Sequence, residues 1–191
     1  MTLFKVLSKD GRGVYSDAFW SLPHDGQPGQ WMPRIGGVLA ECEVGYHLAE
    51  DAQVLHWLGP RLFEAQARGR ITRYDDKINC REARLLREFT AWNGRTARLF
   101  ACDCAERALQ RISNSDARSV EAIQIARAFA NGEATSAELD AAWVAAGVAT
   151  WAAAGDARDA AEAAAGATAG DAAWAAEIAW QLARLREVIG L

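Results

Sequence analysis

Two thiols spaced by one residue in LFACDCAERAL, Cys102 and Cys104, are the first candidates for chemistry. Such a pair could ligate a metal, cycle as a redox couple or pack as small hydrophobes. The surrounding periodicity predicts a helix, where side chains two apart diverge by about 200°, so the pair cannot hold one ion without unwinding it. No CxxC or HxxxH spacing accompanies them, and no metal is expected. With Cys42 and Cys80 they are expected to be reduced and mostly buried, Cys104 near the centre of the apolar arc. A second candidate is Tyr46-His47, because imidazole is the side chain best suited to proton transfer near neutrality. No nucleophile elbow or carboxylate pair is marked beside it.

The charged residues allow binding chemistry. Asp103 and Arg107 are four apart, the spacing of an intrahelical ion pair, with Glu106 beside them. Arg98 projects into the apolar arc of Ala101, Ala105 and Leu109, so it must find a carboxylate, a row of carbonyls or a neighbouring domain. In the next helix Glu121 and Arg127 stand out, and Arg127 lies on the Val120/Ile123 line, either paired within a bundle or part of a recognition surface. Arg68, Arg70, Arg73, Lys77, Arg81 and Arg84 form the one cationic concentration, interleaved with Tyr74 and balanced by Asp75, Asp76 and Glu82. It reads as a solvated face or as a surface for phosphate.

These residues need elements to position them. Leu3–Ser8, Val38–Glu43 and Tyr46–Leu48 have the length and content of strands, separated by the Pro- and Gly-rich loop Trp20–Gly37. Asp51–Leu58 reads as a short helix capped by Asp51. Arg61–Arg68 alternates as a strand, with Leu62, Glu64, Gln66 and Arg68 on one face. Lys77–Phe89, after a turn at Tyr74–Asp76, reads as a strand before any helix. Past Trp92 the chain turns Ala-rich, with helices expected over Ala97–Ile112, Ala117–Asn131 (C-cap Gly132), Thr135–Ala154 and Asp171–Ile189. The last has Trp174, Ile178, Leu182, Leu185 and Ile189 on one stripe and Trp180 off it. The intervening Ala152–Ala173 reads as helix with a break near Gly166–Gly170.

The expected fold is therefore α+β: a mainly β domain over residues 1–91 packed on a helical bundle of about four helices over residues 92–191. A hydrophobic fraction of 51% with 24% charged residues excludes a disordered chain. A net charge of −4 gives no global field for nucleic acid or anionic membrane, and no apolar run is long enough to span a bilayer. A cytoplasmic location is expected.

RTARLFACDCAERAL, followed by ARSVEAIQIARAFANGEAT and an Ala-rich tail, resembles a group of bacterial immunity proteins associated with polymorphic toxin systems. The resemblance covers about Thr96 to Ala165 and emphasises Asp103, Cys104, Glu106, Arg107, Glu121, Ala122, Arg127 and Gly132. It implies recognition of a protein partner by occlusion. CEVGYHLAE, HWLGPRLFEAQARG and DKINCREARLL resemble a small domain of unknown function seen in phage and bacterial proteins, loosely similar to ADP-ribosyltransferase-like folds. That likeness implies a nucleotide or ADP-ribose pocket between the loop Trp20–Gly37 and Tyr46-His47, with His47, Tyr46 and Lys5 as the catalytic candidates. Lys5 stands where such folds carry Arg or His in the first strand.

The leading expectation is an accessory protein, phage-borne or bacterial, that binds a protein partner through exposed Trp20, Trp31 and Trp57. A nucleotide-binding enzyme is the alternative, and a nucleic-acid binder using residues 61–87 a third. No cofactor is expected, and Trp180 leaves self-association open.

Overall fold

The computed structural model describes residues 2–16, 18–111, 116–145 and 167–191. The architecture is α+β, as the sequence predicts. Two compact units are present: Met1–Asn93 together with Arg186–Leu191, and Gly94–Leu185. The last six residues thus belong with the N-terminal unit, where Arg186 meets the carboxylate of Asp51 at 2.6 Å and Ile189 is buried.

Four strands, β1 (Leu3–Leu7), β2 (Tyr46–Glu50), β3 (Arg61–Arg73) and β4 (Ile78–Glu88), close into an antiparallel barrel in the order β1-β2-β4-β3. β3 and β4 form the long hairpin that carries most of the ladder, from Phe63 opposite Glu88 to Arg73 opposite Ile78. Alternation along the strands turns Leu7, Leu48, Phe63, Ile78, Cys80 and Leu85 into one buried cluster with Trp20. Full burial of each large aliphatic or aromatic side chain contributes about 1.5–3 kcal/mol. A bulge between Glu64 and Ala65 interrupts the expected face pattern. Leu62 and Phe63 are accordingly both fully buried, so β3 is covered on both faces at this end.

Closure is uneven. β1 makes five register pairs with β3, but only Leu3–Glu50 and Phe4–Ala49 with β2. From Lys5 onward β1 has no partner on β2, whose Tyr46–Leu48 pairs instead with β4.

The loop Trp20–Gly37 is a strap along β4. The N–H groups of Gly29, Met32 and Ile35 donate to the carbonyls of Leu85, Ala83 and Arg81 at 2.9, 2.8 and 3.0 Å. Past Cys80 the β2 ladder ends, and the strap supplies partners for carbonyls that would otherwise form an open edge.

Three sequence expectations are corrected in this unit. Val38–Glu43 is not a strand: only an isolated bridge joins Ala40 to Val44, around a turn with Cys42 at φ 61°. The side chain of buried Asn79 holds this turn, its Nδ2 donating to the carbonyls of Ala40 (3.0 Å) and Val44 (2.9 Å). Asn79 approaches so closely that a Cβ on Gly45 (φ +137°) would fall 1.5 Å from its Oδ1. The expected short helix is a 3-10 turn, Asp51–His56, capped by Glu50 and not by Asp51. Its cap is closed by the Gln53 side chain, which accepts from the Glu50 N–H at 2.8 Å. Lys77–Phe89 contains no helix; Ile78–Glu88 is one strand.

In the second unit, helices span Gly94–Leu109 (α1), Ala117–Asn131 (α2), residues 136–145 (α3) and Ala167–Ile189 (α4) among the described residues. α2 starts at Asp116, whose carboxylate accepts from the Arg118 N–H at 2.8 Å. It ends on Gly132 in the left-handed region at φ 79°. α1 begins three residues before the expected Ala97 and is rotated from its predicted face. Phe100 and Cys102 are buried, Cys104 is half-buried, and Ala101, Ala105 and Ala108 are exposed. Alanine buries too little apolar area to fix a helix face, and the ion pairs described below fix it instead. The expected helix through Ala152–Ala154, its Trp151 and the break at Gly166 lie outside the described residues.

Replacing Asn79 by alanine removes the side-chain donor to the Val44 carbonyl and one of the donors to the Ala40 carbonyl, which keeps the Val44 N–H, and should destabilise the chain by about 2 kcal/mol. Urea unfolding should show a lower midpoint with unchanged slope; an unchanged midpoint would refute the clamp.

Candidate functional site

Lys5, on the inward face of β1 with Leu3 and Leu7, faces the gap where β1 and β2 part. Its Nζ donates to the backbone carbonyl of His47 at 3.0 Å and lies 4.9 Å from the Trp20 ring. The gap opens into a cavity of about 900 Å³, lined by Phe4–Val6 of β1, Tyr46–Ala49 of β2 and the rings of Trp20 and Trp57. Trp20 and Tyr46 meet edge to face at 5.5 Å, and the Tyr46 hydroxyl donates to the Pro33 carbonyl at 2.7 Å. At the mouth, Val14 and Tyr15 are 45% and 84% exposed, and Tyr15 stands edge-on to Trp57 at 5.9 Å.

The electrostatics of the cavity are asymmetric. Lys77 is buried there with two carboxylates, Glu41 and Asp76, each at 2.9 Å, and these hydrogen bonds push its pKa up. Lys5 has no carboxylate partner among the described residues, and burial lowers its pKa to about 8. Burial, followed by the charges of Lys5 and Lys77, lowers the pKa of His47, which is therefore neutral at pH 7. Its Nε2 is buried with no hydrogen-bond partner. Cys80, whose thiol donates to the Tyr46 carbonyl at 3.4 Å, is pushed up to about 12 by burial and stays uncharged. The cavity therefore holds an amine that deprotonates easily, a neutral imidazole with a free nitrogen, and flat aromatic walls.

Lys5, Tyr46 and His47 thus line one cavity, together with Trp20 and Ile35 of the loop. The three tryptophans read as exposed binding residues are not so. Trp20 is buried at 6% exposure, because its ring fills the barrel core. Trp31 is sandwiched between the guanidinium groups of Arg68 (4.1 Å) and Arg84 (4.8 Å). Trp57 is half-buried, its Nε1 donating to the Asp76 carbonyl at 2.7 Å.

Most of the basic residues are engaged locally. Arg68 pairs with Glu82, Arg73 with Glu50 at 3.1 Å, and Arg84 donates to Gln66 at 2.8 Å. Arg81 donates to the carbonyls of Ile35 and Gly37, which fastens the strap. Arg70 is exposed. Within the cationic run, strand pairing sets a carboxylate opposite Arg68 alone, Glu82, while Arg81 and Arg84 are held by neutral oxygens.

In the helical unit the expected Asp103–Arg107 pair is replaced by longer connections. Asp103 accepts from Arg127 of α2 and Arg184 of α4, both at 2.7 Å, and Arg127 also reaches Glu106 at 2.7 Å. Arg107 pairs with Glu177 of α4 at 2.8 Å and lies 4.6 Å from the Trp180 ring. Burial pushes Glu177 up, but hydrogen bonds from Arg107 and Gln181 with the charge of Arg111 hold it below its usual value. Arg98 covers the Phe129 ring at 4.7 Å, and Glu121 is exposed. Trp174, expected on the buried stripe, is 65% exposed, while Trp180 packs under Arg107. The rest of that stripe holds: Leu185 and Ile189 are buried and Ile178 and Leu182 half-buried. A smaller cavity of about 300 Å³ lies among Asp103, Glu106, Arg107, Trp180 and Arg184. Among the described residues no group of His, Cys, Asp and Glu is placed to hold a metal, and no helix is long and apolar enough to cross a membrane.

Sequence reasoning overlooked Asn79, Glu177, Arg184 and the apolar mouth residues Val14 and Tyr15. Only Lys5 carried a signal, a cation on the apolar face of an alternating strand. Comparison of the chain with known protein families, curated proteins and solved structures gives no match.

In the folded chain the Lys5 amine gives up its proton near pH 8, against 10.5 when unfolded, so between these values the unfolded chain binds more protons and the folded state gains stability as pH rises. Lys5→Met removes this gain. Urea unfolding at pH 8 and pH 10.5 should show native stability rising relative to the variant across that interval; a constant difference would mean that Lys5 is fully solvated.

Proposed function

We propose that the N-terminal barrel is a receptor for a small organic molecule with a flat, apolar body and a polar end. The observation that carries this reading is the 900 Å³ cavity walled by Trp20, Tyr46 and Trp57, with Lys5 and His47 among its lining residues. Ligand pockets commonly measure about 300–1,000 Å³ and combine mostly apolar walls with a few polar groups. Nucleotides and ADP-ribose donors fall within this size class, and both segments expected to frame such a donor contribute to the cavity, Trp20 and Ile35 from the loop and Tyr46-His47 from β2. The exposed Val14 and Tyr15 would gain cover from a bound molecule.

Recognition of a protein partner, in the manner of an immunity protein or inhibitor, is supported by a separate observation in the helical unit. Trp143 is 79% and Val144 65% exposed on α3. Tryptophan is over-represented among the residues that dominate protein interfaces, and exposed apolar neighbours mark such surfaces. The two readings concern different units and do not compete for residues.

Ala18 is exposed and lines the cavity, so Ala18→Trp should fold normally and obstruct the mouth. A thermal-shift panel of nucleotides, NAD, ADP-ribose, aromatic acids and aromatic aldehydes should raise the Tm of the native chain for at least one compound and leave Ala18→Trp unmoved. Absence of any shift specific to the native chain would overturn the receptor reading.

A further inference from the structure

The chain contains only three lysines, Lys5, Lys9 and Lys77, and two of them line the same cavity. They are held in opposite ways. Lys77 sits between Glu41 and Asp76 and is fixed as an ammonium ion. Among the described residues Lys5 touches a carbonyl oxygen and an aromatic ring and no carboxylate. The titratable groups that act on it are the neutral thiol of Cys80 on β4 and the His47 imidazole on β2, whose backbone carbonyl accepts from its Nζ. Burial without a counter-charge is a recognised way of turning a lysine into a nucleophile.

We propose that Lys5 captures an aldehyde or ketone covalently, its Nζ forming an imine with the carbonyl carbon of a flat apolar ligand seated in the barrel cavity. This rests on the receptor reading and names the ligand class. The lone pair of the neutral amine forms the C–N bond while the C=O π electrons move to oxygen, which takes up a proton. The carbinolamine then loses that oxygen as water, the nitrogen gives up its remaining hydrogen, and a C=N bond replaces C=O. One water leaves per imine formed; no oxidant or reductant is needed, and hydrolysis reverses the step. The His47 carbonyl orients the amine through one N–H, leaving the lone pair for attack. Trp20, 4.9 Å from Nζ, offers a ring face that stabilises the cationic iminium form. An amine with a pKa of about 8 is substantially neutral under mildly basic conditions.

The test is reductive trapping on the full chain. Native protein is incubated with naphthaldehyde and sodium cyanoborohydride at about pH 8, and modified lysines are assigned by peptide mass mapping. Lys5 should be alkylated roughly tenfold or more faster than Lys9, with Lys77 spared. Ala18→Trp should lose the selectivity, and Lys5→Arg, which keeps the charge, should lose the adduct. Labelling of Lys5 no faster than Lys9 would overturn the imine. Naphthalenemethanol, which has no carbonyl, separates the two levels of the argument. If it raises the Tm of the native chain but not of Ala18→Trp while Lys5 stays unlabelled, the imine fails and the receptor stands. If it raises neither and Lys5 stays unlabelled, both fail.

Discussion

A strand of five residues closes this barrel from both sides, and its two edges are used unequally. β1 pairs along its whole length with β3 but at only two register positions with β2. An antiparallel ladder leaves backbone donors and acceptors exposed wherever it stops, and buried ones must be satisfied by other means. The Lys5 side chain spans the shortfall to the His47 carbonyl. Cavity, amine environment and the position of the aromatic walls all follow from that incomplete closure. Extending the β1–β2 ladder by two pairs would satisfy the same carbonyl and leave no opening to line.

Charge is managed in a similar way in both units. Several arginines are partnered across elements: Arg61 with Glu88 and Arg87 with Glu64 on the barrel, Arg127 and Arg184 with Asp103 among the helices. Such pairs are geometrically demanding because guanidinium and carboxylate are planar, so they fix helix rotation and strand register more than they add stability. The two lysines of the cavity differ: Lys77 is held by two carboxylates, Lys5 by a carbonyl and an indole.

Much of the β unit was legible from the sequence because its strands are half-buried and alternate. LFKVL, the long run from Arg61 and the run from Ile78 each show it. Val38–Glu43 has the same local pattern yet forms a turn, since its backbone is bonded by Asn79, a side chain far along the chain that no window on residues 38–43 contains. The helical unit was legible in its caps, Asp116 and Gly132, which are local, and in the α4 stripe from Ile178 to Ile189, but not in the face of α1. Alanine-rich helices have no strong apolar stripe, and the partners that orient α1, Glu177 and Arg184, lie 70 and 81 residues away. At the site, residue types suggested Tyr46 and His47, but the cavity depends on how many register pairs β1 shares with β2, a quantity that composition does not encode.

The strap along β4 bears on the order in which the molecule can be assembled. Its residues precede β3 and β4 in the chain, yet its hydrogen bonds end on Arg81, Ala83 and Leu85, with the Arg81 guanidinium returning 46 residues to the Ile35 carbonyl. Trp20, which fills the barrel, enters by the same segment. A nascent chain that ends before β4 therefore carries an unsatisfied strap and an indole without its core, and the hairpin of β3 and β4 must form before the strap can settle on it. Translation of β4, and not of the strands before it, sets the moment at which the barrel acquires an interior.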